Sequence, residues 1–271
     1  MNGIFSSFAN SDVADVVANL PEGLKGVFLV VLVAIVVVSI FAIGVSIYLA
    51  ARYVKYNRRD DSCGLSGEEV ARRVLDANGL EDVKVSKSGS LLFGNSYSRM
   101  FKKVRLRRNT IEKRSVAAMA MGAQKAALAV LDYEGDPEMK ARGRAAFLGV
   151  AGPIAFIPLL VAGAVLDILV SGGQGAFTMV ACGIGMAFFA LAFYFQLKTL
   201  GSERKAQDRA CAILSENGMA TAEEVEMLRK LFRLYNIEYV NNMVLSMLEF
   251  VYYALRFVAA VNGESGSLST D

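Results

Sequence analysis

The chain contains no histidine. That absence removes the commonest metal ligand and the commonest general base together. Its three cysteines, Cys63, Cys182 and Cys211, are far apart, odd in number and without CxxC spacing. Neither a disulfide framework nor a thiolate zinc site is indicated, and reduced, structural cysteines are the expectation. There is no Gly-rich phosphate loop, nucleophile elbow, aromatic-basic nucleic-acid motif or internal repeat. A nucleic-acid partner is not expected, because basic residues near membrane ends account for the net charge of +3.

Charge is also missing over long stretches. Residues 26–51 carry none and are dense in Val, Leu and Ile, enough to cross a bilayer core that needs about 20 apolar residues. The run is too long for a signal-peptide core and lacks a cleavage-like site, so it predicts a retained transmembrane anchor. Between Arg144 and Lys198 the only charge is Asp167, and the turn-forming run 171–175 divides that stretch. This predicts a transmembrane hairpin over 145–197, with Pro153 and Pro158 as kink points in its first arm.

What is present is 54% hydrophobic yet 20% charged, a mixture of membrane spans and polar segments. Of the 29 Lys and Arg residues, 20 lie in 52–144 and 7 in 198–238. The positive-inside rule assigns both segments to the cytoplasm of a multi-pass protein in the cell membrane. The expected order is an outward tail (1–25), a transmembrane helix (26–51), a cytosolic segment (52–144), the hairpin (145–197), cytosolic helices (198–238), an apolar helix (239–261) and a polar tail (262–271). The apolar helix carries Glu249 and Arg256 on one face, either as an intramembrane ion pair or on a helix lying in the interface.

Within the cytosolic segment, Ser66 and Glu69 have capping-box spacing, and Asn78-Gly79 is a helix stop. Short β-prone runs at 83–85, 91–93 and 103–106 suggest a small sheet or hairpin. Residues 115–133 form a helix that is apolar almost all round, with Gln124 and Lys125 set in its middle. Such a helix is buried among other elements, and Asp136-Pro137 ends it. Thr221 to Glu224 opens another capped helix.

Several of these runs, in this order, resemble the bacterial membrane-bound neutral zinc metallopeptidase family. The resemblance is carried by 64–80, Lys103-Val104-Arg105-Leu106, Ser115-Val116-Ala117-Ala118, the hairpin, 203–218 and the last helix, and it covers about 62–261. It implies a mainly α integral membrane fold with a zincin-like cytosolic α+β segment. Members carry HExxH on the buried helix, where two His four residues apart hold zinc and the intervening Glu activates water. The resemblance puts Gln124 at the first His, Lys125 at the catalytic Glu and Leu128 at the second His. Glu203 stands at the third ligand and alone is retained. The family's Asp-His-Tyr-Asp-Pro element is matched by Asn95-Ser96-Tyr97-Ser98-Arg99, which keeps Tyr97.

These replacements imply that zinc, expected in the family, is not expected here. An amide and one carboxylate cannot hold it as two imidazoles and a carboxylate do, and a protonated Lys125 cannot act as the base. Lys125 either replaces the metal as counter-charge to Glu203 or both side chains point to water. The expected function is an inactive homologue acting on the lipid bilayer by binding a membrane or cytosolic protein. Alternatives are an active zinc-dependent membrane protease or hydrolase with a non-standard site, such as Glu203 with Asp208 and Asp132, and a small transporter using Asp167, Glu249 and Arg256.

Overall fold

Side-chain caps set the helix starts. Ser66 Oγ accepts from the Glu69 amide at 3.2 Å while Glu69 Oε2 accepts from the Ser66 amide at 2.7 Å, completing the box. Ser115 Oγ accepts from the Ala118 amide at 3.2 Å, and Thr221 and Glu224 form a second reciprocal pair. Each satisfies amides that the first helical turn leaves without partners.

The computed structural model describes residues 13–88, 94–142, 158–159, 161–163, 165–167, 169–170 and 176–268. It is mainly helical. In order the elements are α1 (Val13–Asn19), α2 (Glu22–Asn57), α3 (Gly67–Asp76), β1 (Lys84–Lys87), β2 (Ser96–Ser98), β3 (Lys103–Leu106), α4 (Arg108–Ile111), α5 (Val116–Tyr133), α6 (Ala176–Glu216) and α7 (Ala222–Leu268). Residues 137–142 are helical as well. Among the described residues two helices are long and apolar enough to cross a membrane, α2 and Ala222–Ala259 within α7.

The chain forms two compact units. The first comprises Met1–Ala42, Val150–Leu191 and Asn241–Asp271. Its core holds Val16, Leu20, Phe28, Leu255 and Ala259, with the Phe28 ring stacked on Tyr252 at 5.5 Å between centroids. Most of the apolar side chains of α2 are uncovered, among them Val30, Val33 and Ile40, as suits a lipid-facing helix. Asp167 is buried, and its carboxylate accepts from the Phe177 amide at 2.9 Å at the start of α6. A charge buried beside free helix-end amides is satisfied there.

The second unit comprises Ile43–Gly149 and Ala192–Val240. At its centre lies α5, buried from Val116 through Leu131 and packed against α3, α4, β2 and β3. The sheet has the order β1-β3-β2, with β1 parallel and β2 antiparallel to β3. Gly122 on α5 faces the Gly67 backbone so closely that a methyl group at either position would meet main chain. Glycine at both points lets the helices touch backbone to backbone.

The helices run past several of the expected segment bounds. The anchor expected at 26–51 runs as one helix from Glu22 to Asn57. The expected break near residue 198 is absent, because α6 continues through it: Thr199 Oγ1 bonds back to the Phe195 carbonyl at 3.1 Å and Ser202 Oγ to the Thr199 carbonyl at 2.8 Å. Those hydroxyls serve the helix rather than capping a new one. The break near 238 is also absent, and α7 runs on to Leu268 through most of the expected tail. All four prolines, Pro21, Pro137, Pro153 and Pro158, precede both helices, so none interrupts them. The strand expected at 91–93 lies outside the described residues, as does most of the first hairpin arm, and β2 at Ser96–Ser98 had not been expected.

Candidate functional site

Helix α5 closes in a glycine-terminated turn. Gly135 has φ +77°, the Asp136 amide reaches the Leu131 carbonyl at 3.0 Å, and the Gly135 amide reaches the Asp132 carbonyl at 3.1 Å, the pairing of a Schellman end. Asp136 then starts the next helical stretch, its Oδ1 accepting from the amides of Glu138 at 2.8 Å and Met139 at 3.3 Å. Pro137 occupies the first helical position, where its missing N–H costs nothing. This stop-and-start brings Arg142 back beside the middle of α5.

Four side chains converge there. Glu203 on α6 accepts from Gln124 Nε2 at 2.8 Å through Oε2. Lys125 Nζ lies 3.0 Å from Oε2 and 3.3 Å from Oε1 of the same carboxylate. Arg142 Nη1 donates to Oε1 at 2.5 Å and to Ser202 Oγ at 3.3 Å. The side chains of Lys125, Glu203 and Arg142 are 10%, 16% and 22% exposed, so these are largely dehydrated ion pairs, for which losing one partner is costly.

Burial pushes the Glu203 carboxyl up, but the Lys125 ammonium and then the Arg142 guanidinium outweigh it and hold the group at about 2. Glu203 is therefore an anion across the physiological range, and the cluster of two cations and one anion carries a net positive charge. The same end of α5 is fixed to α6 by Lys205 to Asp136 at 2.9 Å and Arg209 to Glu134 at 3.0 Å. Further along, Gln207 and Asn236 exchange amide hydrogen bonds of 3.1 and 2.8 Å between α6 and α7.

The residues singled out by sequence fare differently. Gln124, Lys125 and Glu203 meet. Leu128 is fully buried and belongs to the hydrophobic core. Tyr97 donates to Asp132 Oδ2 at 2.9 Å, with Arg99 Nε 3.2 Å from Oδ1. Burial first, and the Asp132 carboxylate second, push the Tyr97 hydroxyl up, so it remains a donor. Asp208 is exposed, and no three carboxylates gather into one cluster among the described residues, so Glu203, Asp208 and Asp132 do not form a joint centre. Glu249 is exposed. Arg256 donates to the Tyr252 hydroxyl at 3.3 Å with its guanidinium 5.6 Å from that ring, and no salt bridge joins it to Glu249 among the described residues. Arg142 was missed by sequence reasoning. The signal was Asp136-Pro137, read there as a stop although it is equally a start.

A membrane-anchored helical protein whose buried helix meets a carboxylate from a later helix is the class that these features define. The model of the family described as "Putative neutral zinc metallopeptidase" matches residues 30–258, and the chain belongs to that family. It is 27% identical over 224 residues, covering 81% of this chain and 95% of the relative, to the "Putative membrane protease YugP" of Bacillus subtilis (strain 168). No solved structure matches.

The donor set at the cluster does not fit a zinc centre. Zinc takes imidazole, thiolate or carboxylate ligands, whereas here Leu128 has no lone pair, Lys125 brings a positive charge, and both Glu203 oxygens already accept from cations.

Proposed function

We propose that the protein is a multi-pass membrane member of the neutral zinc metallopeptidase family that does not cut peptide bonds and acts by binding a protein partner. The observation that carries this reading is the buried cluster of Lys125, Glu203 and Arg142. By the resemblance, Gln124, Lys125 and Leu128 stand at the two zinc-binding positions and the catalytic base, with Glu203 at the third ligand. The ammonium of Lys125 takes the place of a metal ion as counter-charge, which keeps Glu203 from being a lone buried anion. A protonated amine cannot draw a proton from water, and the net positive charge repels a divalent cation.

The remaining topology follows from charge. The bias of Lys and Arg toward 52–144 and 198–238 supports a cytoplasmic position for both segments. The Asp167–Phe177 hydrogen bond supports the side-by-side pairing of the two apolar arms that the hairpin reading expects. With the reaction lost, the chain retains a folded polar unit and apolar helices long enough to hold it at a membrane, which suits recruitment of a membrane or cytosolic protein.

The test is peptidase activity of the purified full chain in lipid nanodiscs on unfolded and membrane-protein substrates, beside Glu203→Ala. The reading predicts no cleavage above background for either protein. Cleavage by the wild type that disappears in Glu203→Ala overturns it.

A further inference from the structure

The hairpin formed by β2 and β3 holds two large apolar side chains out of the protein. Met100 is 82% and Phe101 60% exposed, although both sit on a turn whose base is firmly fixed. Beneath them Val104 and Leu106 are fully buried, Tyr97 is tied to Asp132 at 2.9 Å, and the Lys102 amide closes the turn on the Arg99 carbonyl at 3.2 Å. A rigid base means that the exposed tip is a built feature rather than slack chain.

The surroundings of the tip are strongly cationic. Residues 82–114 contain ten Lys and Arg against two acids, Asp82 and Glu112. Those acids are taken up by Lys102 at 2.9 Å and Lys87 at 2.8 Å. At the foot of the turn Lys84 and Lys103, register partners on β1 and β3, make no salt bridge among the described residues, and the Arg105 guanidinium stands 5.7 Å from the Phe101 ring. An apolar tip within a field of uncompensated positive charge is complementary to a surface with anionic headgroups over an apolar interior.

We propose that the β2–β3 hairpin docks on an anionic phospholipid surface, with Met100 and Phe101 entering the headgroup region and the neighbouring Lys and Arg contacting phosphate. Charge complementarity favours a polyanion. The apolar pair at the tip favours lipid over nucleic acid, because the tip has an interior to enter. The same chain carries apolar membrane-crossing helices, so such a surface is held at high effective concentration and a weak contact suffices.

The chain has no tryptophan, so Phe101→Trp supplies a single indole at the tip. The full-length variant is placed in nanodiscs of phosphatidylcholine alone or with phosphatidylglycerol, with and without brominated acyl chains. The proposal predicts blue-shifted emission and bromine quenching in the anionic discs, a water-like spectrum in the neutral discs, and loss of the shift on adding Lys84→Glu and Lys103→Glu, the register partners at the foot of the turn, with circular dichroism unchanged. A water-like spectrum in both discs overturns the proposal. So does equal quenching in both, or a shift produced by an acidic polypeptide or RNA and not by anionic lipid.

Discussion

Replacing Glu203 with glutamine leaves the volume of the side chain nearly unchanged but removes the negative charge between Lys125 and Arg142. Both cations then remain largely dehydrated, with 10% and 22% of their side chains exposed. Breaking a buried pair in this way costs about 3–5 kcal/mol, and the partial exposure of Arg142 places the expected loss at the low end, about 3 kcal/mol. Lys125→Met is milder. Glu203 keeps Arg142 and Gln124 as donors, so the loss is that of one charge-assisted hydrogen bond, about 1.5 kcal/mol. The double variant lacks the more deeply buried unpaired cation, so it loses less than the sum of the singles, with a coupling of about 1–2 kcal/mol. Urea midpoints of the detergent-solubilised protein, followed by circular dichroism, measure all three. Glu203→Gln within 0.5 kcal/mol of wild type, or strict additivity, refutes the reasoning.

Three further outcomes follow. The Glu203 carboxyl is held at about 2 against an ordinary value of 4.5. A group depressed in the folded state stabilises fully above its unfolded value, and here that stability is lost as pH falls from about 4.5 toward about 2. At about 1.4 kcal/mol per pH unit it amounts to about 3 kcal/mol, so acid unfolding of wild type should steepen across that window and that of Glu203→Gln should flatten, as read by stability against pH. Gly122→Ala drives a methyl group into the Gly67 backbone, which cannot swing aside, and should lower stability by about 1–3 kcal/mol in the same assay. If the second unit lies in the cytoplasm, a thiol reagent applied to intact cells should label Met100→Cys only when it can cross the membrane, and labelling by an impermeant reagent contradicts the assigned orientation.

Local rules made much of the fold legible. The caps at Ser66 and Thr221, the stop at Gly79 and the all-round apolarity of α5 each reflect a requirement met within a few residues, so sequence alone displays them. Helix continuity was not legible. The changes in polarity near Lys198 and Tyr239 suggest breaks, but polarity reports the surroundings of a helix, while continuity depends on the backbone ladder, which the Thr199 and Ser202 hydroxyls leave in place by bonding back within the helix. Strand β2 escaped notice because Ser96-Tyr97-Ser98 is held less by its own composition than by pairing with β3 and by the bond of Tyr97 to Asp132, which is distant in sequence. At the site, the resemblance brings Lys125 and Glu203 together and leaves open whether they pair or face water, and the structure pairs them. Arg142 could not, since its place depends on a helix that begins at Pro137.

Zinc content is the most direct test of the claim that an ion cluster stands where the family's metal would be. Elemental analysis of the full chain, purified without chelators and equilibrated with zinc before desalting, should give far less than one zinc per chain, unchanged by Glu203→Ala. One zinc per chain, lost on Glu203→Ala, would contradict the account.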